Sequence, residues 1–223
     1  MAMTQFAEGT GFFVGCNEMQ TKITRAQKTL FITCGAIARE VIAIKTLNEF
    51  SNIEVSCFPA AWHNSPEKIT PAIKKKICTA KTKFARIFVL YGDCGTGGEL
   101  DKLLEEEGVT RIPGPHCYEF FMGREEFEEA HADEPGCFYL TDYLARHFDR
   151  VVVKGLGLDR FPELLFEYFK NYKKLIHIAQ TDDSSLELKA RKAADRLGLQ
   201  YERRIRGYGE LGKFMASAVQ PRA

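Results

Sequence analysis

Four short stretches of this chain place a sulfur or imidazole side chain just past an apolar run. Cys34 follows Thr29-Leu30-Phe31-Ile32-Thr33, and His63 lies in the loop after Ile53–Phe58. Cys94 stands three residues past the run ending at Tyr91, and His116 and Cys117 come directly after 110–113. Thiolate and imidazole are the donors that a zinc ion selects, and thiolates hold iron–sulfur clusters. Three thiolates and an open fourth position on zinc suit activation of a thiol or a water. Three thiolates on a [4Fe–4S] cluster leave one iron open to substrate. The expected metal ligands are therefore Cys34, Cys94 and Cys117. His63 and His116 are candidates for a fourth ligand or a general base, and Asp93 for a supporting acid or base. Zinc is the first expectation and a [4Fe–4S] cluster the alternative.

The elements that must position these side chains can be read from periodicity. The runs 29–33, 85–91 and 175–179 are short and mostly apolar, as buried strands are, and 53–58 reads as a second strand. Between them lie segments with apolar residues at helical spacing, such as Ile37, Val41, Ile44 and Leu47. A helix over 99–107 stops at Gly108, and a capped helix over 182–197 buries Leu186, Ala190, Ala193, Ala194 and Leu197. Strands 110–113 and 199–204, a helix over 118–130 and a strand that turns helical at Thr141 or Asp142 complete the pattern, with a short apolar strand at Val151–Val153 and an aromatic helix over 162–173. Strands alternating with helices predict an α/β fold with a mainly parallel sheet and flanking helices. The turn-rich HADEPG stretch allows two α/β lobes, divided near 130–140, around a central cleft. The expected division is a lead-in over 1–28, an α/β domain over 29–215 and a tail over 216–223. In open α/β sheets, ligands bind beyond the carboxyl ends of the strands, which is where the four reactive positions fall.

Each of these residues has a bland alternative. Free cysteine is a small buried hydrophobe more often than a ligand, and the chain contains no CxxC, HExxH or HxH spacing. Cys57, inside a strand, and Cys78, inside a helix, read as core residues, Cys16 has no readable role, and Cys137, after Pro135-Gly136, is an outside candidate for the site. His177, inside a strand, reads as a packed or edge residue, and the aromatics Phe161, Phe166, Tyr168, Phe169 and Tyr172 read as core. The loop GDCGTGG follows a strand and opens a helix, so the amides of Gly92, Gly95, Gly97 and Gly98 are candidates for cradling an anionic cofactor. It is neither a Walker loop nor GxGxxG.

Composition narrows the class further. The 223 residues are 45% hydrophobic and 27% charged with net charge +1. That balance builds a core and gives no general basic surface, so nucleic acid is not an expected partner. No apolar run approaches the ~18–20 residues of a membrane helix, and the N-terminus has no signal-peptide pattern. The expected location is the cytoplasm, where seven cysteines do not form a disulfide framework.

The segments TCGAIARE (33–40), WHNSPEKI (62–69), YGDCGTGGELD (91–101), PHCYEFFMG (115–123), PGCFYLTDYLARHFD (135–149), GLGLDRFPELLFEYFKNY (155–172) and AQTDD (179–183) give the chain a resemblance to a known family. Over about 29–215 it resembles a cytosolic domain-of-unknown-function family of archaea and bacteria. The resemblance implies that the three cysteines matching Cys34, Cys94 and Cys117 are characteristic of the family. It also implies a genomic neighbourhood of corrinoid-dependent methyltransferases and their activating proteins. The expected function is then a metal–thiolate enzyme, a transferase or related activity, or an accessory protein of corrinoid-linked one-carbon metabolism. Its expected partner is a small-molecule substrate or a corrinoid protein. The alternatives are a non-catalytic module that binds a small ligand or a corrinoid protein, and a thiol enzyme with Cys94 or Cys117 as nucleophile and His116 or His63 as base. Asp93, Glu119, Thr141 and Asp142 are candidates for supporting partners around the site.

Overall fold

The computed structural model describes residues 28–220 and shows an α/β fold with two parallel sheets. The lead-in and Cys16 lie outside the described residues. The first sheet contains β1 (Thr29–Cys34), β2 (Ile53–Phe58), β3 (Arg86–Leu90) and β4 (Thr110–Arg111) in the order β2-β1-β3-β4. Every residue of β1 is buried, as the continuous apolar run required of a central strand. The helices α1 (Ala38–Leu47), α2 (Ile69–Ala80) and α3 (Glu99–Glu107) return the chain between the strands. The chain steps from β1 to β2 on one side, then crosses to β3 on the other. The sheet therefore has a switch point between β1 and β3, where a crevice opens at the carboxyl ends.

The chain then runs through α4 (Cys117–Met122) and α5 (Arg124–Asp133) and passes into the second sheet. Gly123 breaks the expected 118–130 helix in two, and α5 extends to Asp133, into what reads as loop in the sequence. The second sheet orders β5 (Cys137–Thr141), β6 (Lys174–Ala179) and β7 (Gln200–Ile205) sequentially and in parallel. The helices α6 (Asp142–Phe148), α7 (Leu164–Phe169) and α8 (Ser184–Leu197) belong to this half. Helix α8 starts on Asp183, whose carboxylate accepts the Ser185 and Leu186 amides, a cap worth about 1 kcal/mol.

Alternation along β5 and β6 joins the halves. Tyr139, Ile176 and Ile178 enter the core of the first half, and Leu140 and Leu175 enter a second core under α8. The last helix, α9 (Gly209–Val219), crosses back, burying Leu211, Met215 and Ala218 in the first core. Residues 216–219, expected as tail, are its final turn, held where Arg86 donates to the Val219 and Gln220 carbonyls.

Three expectations change. Val151–Val153 is part of a π-helical turn (Asp149–Val153), not a strand. Cys57 and Cys78 are exposed. The first sits on the edge strand β2, and the second lies off the α2 stripe Ile69, Ile73, Ile77 and Ala80. Of the five aromatics over 161–172 only Phe169 is buried, because α7 spans six residues and presents one core-facing position.

Candidate functional site

Cys34, Cys94 and Cys117 all stand at the carboxyl end of the first sheet, the first two at the ends of the strands that flank its switch point. A cleft of about 480 Å³ opens there. One wall carries Ala36, His63, Cys94, His116 and Cys117, and the other carries Thr141, Tyr143, Leu144 and Arg150 from the second half. Two glycines set this arrangement. A Cβ on Gly35 would lie 2.9 Å from the Phe58 oxygen, so only glycine lets the loop carrying His63 close on Cys34. A Cβ on Gly92 would lie 2.5 Å from the Pro115 oxygen, so only glycine lets the Cys94 loop meet the His116-Cys117 loop.

The thiols sit among donors. The Ala36 amide donates to Cys34 Sγ at 3.3 Å, and the Gly92 amide donates to Cys94. The Tyr91 hydroxyl is buried against Cys34 and makes no hydrogen bond of normal geometry. Without a cation the thiols hold their protons. Burial pushes Cys34 up to about 12 and Cys94 up to about 11. Burial also raises Cys117, and the adjacent Cys34 and Cys94 raise it further. Cys117 thus feels both of the other thiols, and Cys34 feels Cys94. Among the described residues, no group of three or more His, Cys, Asp and Glu side chains is already drawn to metal-ligand spacing. Protonated thiols have no electrostatic reason to converge; a divalent cation would reverse that.

His63 has a defined tautomer. Its Nδ1 lies 2.8 Å from the Ala60 carbonyl, which only accepts, so Nδ1 carries the proton and Nε2 the lone pair. Nδ1 also lies 3.9 Å from Cys34 Sγ, which keeps the ring beside the thiol. The ring is thus held by its backbone contact, with Nε2 as ligand atom or base. His116 precedes α4, is exposed, and stacks loosely on Tyr118 at 6.3 Å between ring centres.

The Gly-rich loop closes on itself. Asp93 accepts the amides of Gly98 (2.9 Å) and Gly97 (3.2 Å) and the Thr96 hydroxyl (2.8 Å). Gly95 adds a further amide, and these bonds hold the Asp93 carboxyl below its usual range against a burial effect that raises it. The loop's own carboxylate occupies the amides expected to cradle an anionic cofactor, so in this structure Asp93 braces the loop. That brace holds Cys94 at φ +51°, a left-handed conformation uncommon for a residue with a Cβ.

Two positioning groups stand out in the structure, Arg111, which the sequence did not single out, and Asp142, which it offered as a supporting partner. Arg111 donates to the carbonyls of Ile112 and Gly114 (2.9 Å each) and pairs with Asp101 on α3, tying the loop before Cys117 to that helix. Asp142, fully buried at the start of α6, accepts from His177 Nε2 (2.9 Å), the Thr181 amide (3.0 Å) and the Thr181 hydroxyl (2.7 Å). The other ring nitrogen, Nδ1, lies 3.2 Å from the Tyr201 hydroxyl. This chain fixes the strand-to-helix elbow whose Thr141, Tyr143 and Leu144 form the far wall of the cleft. A lone histidine in a strand gives no hint of its partners, because Asp142 and Tyr201 come from the neighbouring strand units.

Residues 57–215 match a family described as protein of unknown function DUF1638, and the chain belongs to that family. The matched span contains His63, Cys94, Cys117 and Asp142, whereas Cys34 and β1 precede it. No curated protein matches the chain. Among the described residues, no helix is long and apolar enough to cross a membrane.

Proposed function

We propose that Cys34, Cys94 and Cys117 hold a metal at the switch-point crevice, with the His63 ring beside Cys34, and that the cleft over this centre binds a small-molecule substrate. The carrying observation is that three thiols, each from the end of a different strand-and-loop unit, stand at the same carboxyl end of the first sheet, with Cys94 and Cys117 lining one cleft and Cys34 3.9 Å from the His63 ring that lines it too. The donor set suits zinc by its softness. The residues around it also suit it: the Ala36 and Gly92 amides and the unsatisfied Tyr91 hydroxyl all point toward sulfur that would be thiolate in the loaded state. Bound zinc would supply a Lewis acid that ionises a substrate thiol or a water near neutral pH.

The chain's own residues do the rest. His63, with Nδ1 committed to Ala60, accepts a proton at Nε2 or completes the ligand set. Leu144 and Val151 give the cleft an apolar wall that limits water. The raised thiol pKa values argue against Cys94 or Cys117 as a free nucleophile at neutral pH, because the thiolate fraction would be small. The broader role proposed is an enzyme, or an accessory protein, of corrinoid-linked methyl transfer in the cytoplasm. Its support is the family resemblance together with a centre suited to thiol activation.

The test is elemental analysis and a visible spectrum on protein purified without oxygen, alongside Cys34→Ser, Cys94→Ser and Cys117→Ser. One zinc per chain without colour, lost in each variant while circular dichroism is unchanged, is the expected result. Brown protein with iron and sulfide would replace zinc by a cluster on the same thiols. Metal-free protein, or metal kept in all three variants, would overturn the proposal.

A further inference from the structure

On the second half, beside the cleft, lies a groove of about 590 Å³ between α6 and α8. Arg146, His147 and Arg150 line it from one side, and Lys189, Lys192 and Arg196 from the other. Asp149 is the single acid among its lining residues, and it is spent on Arg196 at 3.0 Å. Of the remaining cations, Arg146 donates to the Asp142 carbonyl (3.4 Å) and Arg150 to the Tyr143 hydroxyl (3.2 Å). Neither of them, nor Lys189 or Lys192, forms an ion pair among the described residues.

Several neighbouring cations are paired. Arg191, between the two lysines in sequence but not lining the groove, pairs with Glu187. Arg203 pairs with Asp182 and Glu187, Lys174 with Glu134 and Glu202, and Arg206 with Glu126. Here four cations without an ion pair among the described residues face one concave groove. Helix dipoles do not account for it. The favourable effect of a cation is confined to the last turn, and Lys189 and Lys192 precede the last turn of α8. The field is felt within the groove: burial lowers His147 below its ordinary value, and Arg150, Arg146, Arg39 and Lys189 lower it further.

We propose that this groove binds the oligoanionic, phosphate-bearing end of a small molecule. Arg146 and Arg150 supply planar donor forks and the two lysines mobile point charges, the combination that phosphate oxygens take. Arg150 also lines the thiol cleft, so the rest of the molecule is directed there. That last clause rests on the cleft being the reacting site; anion binding does not. The concave shape favours a small molecule over an extended nucleic acid.

The test is calorimetric titration of the full chain with sodium tripolyphosphate at low ionic strength. Binding should weaken as salt rises. The double variant Lys189→Ala/Lys192→Ala should lose about tenfold or more in affinity, as expected for charge-assisted contacts. Arg191→Ala, outside the groove, and Cys94→Ser, in the metal set, should bind as the parent does, so failure of the metal reading would leave this result standing. In NMR, the Arg146 and Arg150 Nε–H signals should shift on binding. No binding, an equal loss in Arg191→Ala, or unmoved arginine signals would overturn the anion site. Tighter binding of a single-stranded oligonucleotide than of tripolyphosphate would overturn the small-molecule reading.

Discussion

The two parallel sheets of this protein end in opposite ways. At the carboxyl end of the first, buried polar groups are under-satisfied. The thiols carry raised pKa values and the Tyr91 hydroxyl has no partner of normal geometry. At the carboxyl end of the second, the groups around Asp142 are paired, and Arg203 Nε on β7 is the buried polar atom left over. Asp142 takes three hydrogen bonds, and the Gln180 amide bridges the Asp142 amide (2.8 Å) and the Ile178 carbonyl (2.5 Å). The difference follows topology. The first sheet reverses its order between β1 and β3 and leaves a crevice, whereas the second adds strands sequentially and closes its end with side chains. A paired buried network holds shape, and an unpaired one is a place where a ligand can supply the missing partner.

The largest expected effect breaks the paired end. Asp142→Ala leaves the buried His177 Nε2 without its partner and removes two further bonds to Thr181, and should cost about 3 kcal/mol in urea unfolding. Asp142→Asn keeps the shape and should cost less. A loss below about 1 kcal/mol would show that the second sheet's end is no more committed than the first.

The unpaired end should respond to pH instead. Cys34 and Cys94 have folded pKa values raised above the ordinary thiol value, to about 12 and about 11. Their contribution to metal-free stability is complete below about 9, the ordinary value, and is lost as pH rises toward those folded values. Metal-loaded protein should show the reverse dependence, losing metal as acid returns protons to the thiolates. Thermal melts of both forms between pH 6 and 11 would check the sign. If both forms have the same profile, the metal is not on these thiols.

Much of the first sheet was legible because its main strands are mostly apolar runs and its helices are punctuated by glycine; 99–107 with Gly108 has the same bounds in both readings. The strand-end placement of Cys34, Cys94 and Cys117 followed from those runs. What the sequence hid was hydrogen bonding. The Gly-rich loop reads as an anion cradle, yet a carboxylate two residues from its own strand fills it. His177 reads as a packed strand residue, and it is one, but its Asp142 partner lies 35 residues away and is visible only through the β5–β6 register. The aromatics over 161–172 misled because hydrophobic type does not fix a face on a one-and-a-half-turn helix.

A smaller effect should come from Gly92→Ala. The added methyl would meet the Pro115 oxygen, so the loop bearing His116 and Cys117 must shift. Such overpacking should cost about 1–3 kcal/mol and lower metal content as well. Gly97→Ala is the control: nothing lies within 4 Å of its added methyl, so metal content should stay, and its positive φ is the source of any cost. Equal metal content in the two variants would mean that the two loops need not meet.

The smallest effect separates site from scaffold within one residue. Cys94 is held at φ +51° by a loop whose bonds belong to Asp93, not to the thiol. Glycine adopts that conformation without the Cβ penalty of about 1 kcal/mol. Cys94→Gly should therefore keep or slightly raise metal-free stability while removing a ligand. A cysteine kept only for packing would show the opposite: lower stability and unchanged metal. Urea unfolding and elemental analysis on this variant thus ask whether the strained backbone at the first sheet's end serves the fold, as the satisfied Asp142 elbow does, or serves what the crevice binds.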